Sequence, residues 1–199
     1  SAKALRSRAP SQYFELLFDL GLSNRIVSIL DDIAASAPPV LARTLQLMDE
    51  SDDHQPDAQL ALAYVVAAFA RIQVRLKTTD FPLDVMSKAG RDRVLTASQL
   101  AHAVRDCQLH PSWLLDELVL LDAIRRPERL AQAFETAAEV AASALGSHSL
   151  TNQCTLLREA AKRIQTVRLG DNTTDAVRTP REALRAARLS ALKELLAAR

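Results

Sequence analysis

Eleven consecutive residues, Leu60–Ala70, carry no charge and are apolar on every side of a helical projection. A membrane-spanning helix needs about 20 such residues, so this run is too short to cross a bilayer. A helix without a polar face is stable in water only when other elements surround it. The run therefore demands a fold with a buried central helix and enough further chain to cover it. At 199 residues with 48% hydrophobic content, the chain can supply that cover, and its core needs neither disulfides nor metal. We read residues 1–199 as a single domain. Residues 1–10, with Lys3, Arg6 and Arg8, form a disordered basic lead that no apolar signal core follows. The opening Ser in place of Met fits a cut or processed domain.

The cover reads as helix almost throughout. Ser11 is placed to cap a short helix over Gln12–Leu20, and Ile26, Ile29, Leu30 and Ile33 form one stripe of a second over Asn24–Ala35. Pro38 and Pro39 suit the first turn of a third, Val40–Glu50, because a first-turn N–H has no intrahelical partner to lose. Asp49–Asp57 is acidic and lacks hydrophobic periodicity, so it reads as a loop, with Asp57 capping the central helix on to Lys77. Ala89-Gly90 interrupts a short helical piece, and Thr96–Gln99 has the spacing of a capping box opening a helix to Cys107. Pro111 and Pro127 open two more helices, the first carrying Trp113, Leu114, Leu118, Leu121 and Ile124 at helical spacing. Gly146 stops the second, Thr151 caps a helix over Asn152–Leu169, and Thr179–Glu182 caps the last.

Sustained period-two alternation and Asn-Gly or Asp-Gly hairpin turns are absent from the sequence, and four Gly are too few for a turn-dense β architecture. The expected class is all-α: a compact multi-helix bundle of about 8–10 helices around the buried helix. A short helical-repeat stack of the HEAT kind is the alternative, disfavoured because no residue signature recurs at a fixed offset.

The candidates for chemistry are sparse. Cys107-x2-His110 has ligand-like spacing, with His102 and Asp106 one turn apart, but zinc needs four converging ligands. A helix C-terminus with a core thiol explains the same residues. His54 among Asp49, Glu50, Asp52 and Asp53 lacks the glycine and distal glutamate of a calcium loop. Cys154, close to His148 and near an expected helix start, is the better placed of the two thiols for a lowered pKa. Asp31-Asp32 and Asp116-Glu117 are sequence neighbours, so a helix points them about 100° apart. No phosphate-loop, dinucleotide, nucleophile-elbow or metalloprotease motif is present. The expectation is a non-enzymatic protein with no cofactor and no metal, in the cytoplasm or another reducing compartment, since two cysteines make no disulfide framework.

Two surfaces remain. The N-terminal helix carries Tyr13, Phe14, Leu17 and Phe18, and the last helix a broad apolar surface with Leu189, Leu192, Leu195 and Leu196. These are candidate partner-binding residues of an adaptor or regulatory domain, with a protein partner or a second copy docking there; burial in the domain itself accounts equally for the first set and is the favoured reading of the last helix. Arg178, Arg181, Arg185 and Arg188 form a cationic stripe suited to phosphates, which makes a nucleic-acid-binding regulator the second reading. Against it stand the net charge of +1, the glutamates along the stripe and the lack of aromatic residues beside it.

Overall fold

The computed structural model describes residues 9–20, 28–51, 55–72, 87–168 and 179–199. Within them the chain is all-α. The helices, in order, are α1 (Pro10–Asp19), α2 (Ser28–Ser36), α3 (Pro38–Glu50), α4 (Pro56–Phe69), α5 (Lys88–Arg105), α6 (Pro111–Leu120), α7 (Pro127–Glu139), α8 (His148–Thr166) and α9 (Pro180–Ala197). A π-helical turn, Val140–Ala144, follows α7 without a break. None of these helices is long and apolar enough to cross a membrane.

The apolar run forms most of α4, and every residue from Ala61 to Phe69 is buried. Around it pack α2, α3, α5, α7 and the π turn, so the architecture is a bundle rather than a stack. The most extensive contact is with α5. Ala61, Ala63, Ala67 and Ala68 on α4 and Ala97, Ala101 and Ala103 on α5 are all buried. Side chains this small let two helices approach closely, and larger Val and Leu residues then fill the flanks.

Proline sets the start of six helices, and at α3, α6 and α9 the expected first-turn position is the observed one. Other starts move. Gln55, not Asp57, is the N-cap of α4, with Pro56 at its first position. Ser87 caps α5 by accepting from the Gly90 N–H at 3.1 Å, so Gly90 lies inside the first turn instead of ending a helix. Thr96 is mid-helix, its hydroxyl donating to the Asp92 carbonyl at 2.7 Å. Ser147 caps α8, leaving Thr151 in the second turn. At α9 the capping box is complete: Thr179 Oγ1 accepts from the Glu182 N–H, and Glu182 Oε2 accepts from the Thr179 N–H at 2.8 Å.

Two helices end on a left-handed residue that is not glycine. Arg71 after α4 (φ 60°) and Asp122 after α6 (φ 56°) are left-handed. In each case the following N–H reaches back in a Schellman closure, Ile72 to the Ala67 carbonyl at 2.9 Å and Ala123 to Leu118 at 3.0 Å. The central helix therefore ends at Phe69 rather than near Lys77. Residues 73–86, which held the rest of that expected helix, lie outside the described residues, as do residues 1–8 of the basic lead. Gly146 (φ 56°) stops the π turn as expected, and Arg43 Nε donates to the Ser143 carbonyl within that turn at 2.9 Å.

The acidic stretch does structural duty. Asp49 ends α3 and accepts from both the backbone N–H and the hydroxyl of Ser11, in the first turn of α1. A carboxylate there satisfies orphan donors and meets the positive end of the helix dipole. Asp57 pairs with Arg93 at 3.3 Å. Asp52, Asp53 and His54 lie outside the described residues.

Two outcomes follow. Arg71→Gly, which relieves a left-handed side chain at an exposed site, raises stability by about 0.5–1 kcal/mol in chemical denaturation. Asp49→Ala costs about 1–2 kcal/mol, and amide exchange in α1 accelerates more than in α5.

Candidate functional site

The sequence offers two thiols, and burial silences both. The α8 cap sits at Ser147, so Cys154 is a turn deeper in the helix than expected. It is buried, its thiol facing the Phe134 carbonyl at 3.8 Å. Burial pushes its pKa up to about 11, with the Arg158 charge opposing weakly. Cys107, half-buried after α5, is likewise pushed up to about 11 by burial, against a small opposing effect of Arg199. The helix N-terminus thus does not activate Cys154, and the expected order of reactivity is corrected.

The metal-like neighbourhood also disperses. Asp106 takes two hydrogen bonds from Arg105, at 2.7 and 2.6 Å, which hold its carboxyl below the usual range. His110 shares its Nδ1 with the Ser112 hydroxyl at 2.7 Å, and His102 is buried in α5. Among the described residues no three His, Cys, Asp or Glu side chains converge as metal ligands.

The aromatic and leucine candidates divide. Phe14 is buried, edge-on to Tyr13 with ring centroids 5.6 Å apart, and so fastens α1 to the core instead of presenting an anchor. Leu192 is wholly buried, while Leu189, Leu195 and Leu196 are half-buried against the same core. Packing of α9 on both α6 and α8 accounts for most of its broad apolar surface. The side chains of Leu17 and Phe18 lie outside those described. What remains exposed is a different set: Leu16 on α1, Leu20 just after it, Val119 and Leu120 on α6, and Leu109 in the loop before α6.

The arginine stripe lands on a cavity. Between α6 and α9 lies a groove of about 400 Å³ with an apolar floor and walls of Leu115, Val119, Ile124 and Leu184. Arg125, Arg181, Arg185 and Arg188 rim it, with Asp122. Two of these cations are neutralised in place: Arg125 by Asp122 at 2.6 Å, and Arg185 by Asp116 of α6 at 2.8 Å. Arg181 and Arg188 have no ion pair among the described residues, and Arg188 Nε is enclosed without a hydrogen-bond acceptor. Burial and then the nearby Arg168 guanidinium lower the Arg188 pKa below its ordinary value. Arg178 lies outside the described residues.

Elsewhere the basic residues of α8 and α9 are engaged. Arg163 pairs with Glu194 at 2.9 Å, Arg199 with Glu159 at 2.7 Å, and Arg158 lies over the Phe134 ring at 5.4 Å. Sequence reasoning found the α9 cations but missed the α6 wall. The left-handed stop at Asp122 turns Ile124 to the groove, and Val119 sits off the stripe that reads as core. Comparison with family models, curated proteins and solved structures found no match for the chain.

The thiols give a checkable consequence. With folded pKa values of about 11, roughly one thiol in a thousand is ionised at pH 8. Thiol modification should accelerate about tenfold per pH unit beyond pH 9, without the plateau of an ordinary cysteine. The unfolded chain ionises first, near 9.0, so the stability these thiols contribute is complete below pH 9 and lost as the pH rises towards 11.

Proposed function

We propose that this bundle is a non-enzymatic protein-interaction domain of the adaptor or regulatory kind, whose α6–α9 groove receives an acidic, apolar segment of a protein. The observation that carries the reading is the juxtaposition of Arg181 and Arg188, unneutralised among the described residues, with the half-exposed Val119 over an apolar floor. An arginine held beside apolar surface is weakly hydrated and prepared for a carboxylate. Protonated thiols give the chain no nucleophile of that kind, and free Cys107 and Cys154 accord with a reducing compartment.

The nucleic-acid reading has less behind it. Phosphate tracking needs a row of free cations, and Arg125, Arg163, Arg185 and Arg199 each hold a carboxylate. The groove is lined by aliphatic side chains, which offer bases no stacking platform.

A photo-crosslinking amino acid at Val119 tests the proposal in extract of the cells that make the protein. The wild-type groove yields a discrete protein adduct, and R181E/R188E, folded by circular dichroism, loses it. An adduct pattern indifferent to the double substitution overturns the reading. Salt-steep binding of mixed DNA or RNA that vanishes in the same variant would transfer the groove to the nucleic-acid reading.

A further inference from the structure

One surface of this chain has the chemistry that the groove requires. Glu15, Leu16 and Asp19 of α1 and Leu20, which continues its last turn through a Leu20 N–H to Leu16 carbonyl bond of 3.1 Å, are all exposed. Leu16 and Leu20 keep 55% and 59% of their surface open, unusual for paired leucines on a helix already fastened to a core. Neither Glu15 nor Asp19 has an ion pair among the described residues. On a helical projection the two acids lie within about 40° of each other and the two leucines sit together to one side of them, about 100° away on average. The ridge is thus two parallel columns, one acidic and one apolar.

The groove has the same two columns with the opposite charge. Arg181, Arg185 and Arg188 run along one edge of α9, and Val119 and Ile124 form the apolar wall opposite. Glu15 and Asp19 are separated by one turn, about 6 Å, and so are Arg181 and Arg185. Arg185 already holds Asp116 in an exposed pair, so an incoming carboxylate there shares or displaces Asp116, whereas Arg181 and Arg188 meet it without competition.

The ridge cannot reach its own groove. Phe14 and the Ser11–Asp49 hydrogen bonds fix α1 on α3, and α3 packs on α1, α2, α4 and the π turn, away from α6 and α9. We propose that the groove's occupant is a second copy of this chain, the α1 ridge of one molecule docking in the α6–α9 groove of the next. The proposal rests on the groove being a protein-docking site and names what fills it. The two patches differ, so the contact is head-to-tail, and each added copy leaves one ridge and one groove open. Four side chains on a short ridge make a small interface, so association is weak, concentration-dependent and sensitive to salt.

Sedimentation and light scattering of the intact chain from about 10 to about 300 μM test this. The weight-average mass should rise with concentration at low salt and fall back in 0.5 M NaCl. Two charge reversals, E15R/D19R and R181E/R188E, should each weaken association at least tenfold, and an equimolar mixture should recover it because both contacts in the mixture are complementary. Glu15→Gln with Asp19→Asn serves as a milder pair should either reversal fail to fold. A mass that stays monomeric throughout, or that grows regardless of these substitutions, overturns the proposal. If that happens while the Val119 crosslink still captures a different protein, the groove reading stands with another occupant. If no crosslink forms either, both fail.

Discussion

The packing of α4 against α5 is the contact on which the other elements depend. α4 has no face fit for water, so each of its sides must be covered, and the buried alanines of the seam bring α5 in closely enough to cover one side completely. α7 and α8 can then rest on α5, while α2, α3 and the π turn close the remaining sides of α4. Arg105 strengthens the arrangement at one end by donating to the Ala68 carbonyl at 2.9 Å while holding Asp106. It ties a carbonyl at the end of α4, which also accepts from the Arg71 N–H at 3.2 Å, to the last turn of α5.

Distance from that seam separates structural from available surface. α5, close to the centre, has charges taken up by its neighbours, as in the Arg129–Asp92 pair with α7 at 3.0 Å and the Arg93–Asp57 pair with α4 at 3.3 Å. α1 and α9 are peripheral, each resting on few neighbours, and only Ala191 and Leu192 of α9 are fully buried. Glu15 and Asp19 of α1 and Arg181 and Arg188 of α9 carry charges without an ion pair among the described residues, while the open leucines lie on and just after α1, at the end of α6 and in the loop before it. A chain of net charge +1 thereby carries a basic groove and an acidic ridge at separate places.

The amino-acid sequence disclosed the class of fold because its strongest signals are local. Proline fixes its own φ and lacks an N–H, so Pro38, Pro111, Pro127 and Pro180 mark helix starts without reference to anything distant. The apolar run of α4 needed only its own composition. Stops were harder: Arg71 and Asp122 adopt conformations that glycine usually signals, and tertiary packing imposes them. Capping by Ser87 and Ser147 was obscured by Thr96 and Thr151, which have the right chemistry more than two turns and about one turn too late. For the site, a stripe of arginines is visible in one helix, but which of them keep their charge free depends on Asp116 arriving from another. Phe14 and Leu192 illustrate the same boundary, since an apolar residue on a helix face does not disclose whether the face is covered.

The π turn at the end of α7 has a consequence for chain length. A residue removed from an ordinary helix rotates everything after it by about 100° and carries buried side chains into solvent. Val140–Ala144 already holds one residue more per turn than an α-helix needs, with the Leu145 N–H reaching back to the Val140 carbonyl at 3.3 Å. Loss of one residue there would convert the wide turn to a regular one without turning α7 away from α5. The segment is thus a slack link, with Val140 and Ala141 before the extra residue held in the core. Arg43, bound to the Ser143 carbonyl, grips the extra residue from the neighbouring helix and keeps the slack taken up.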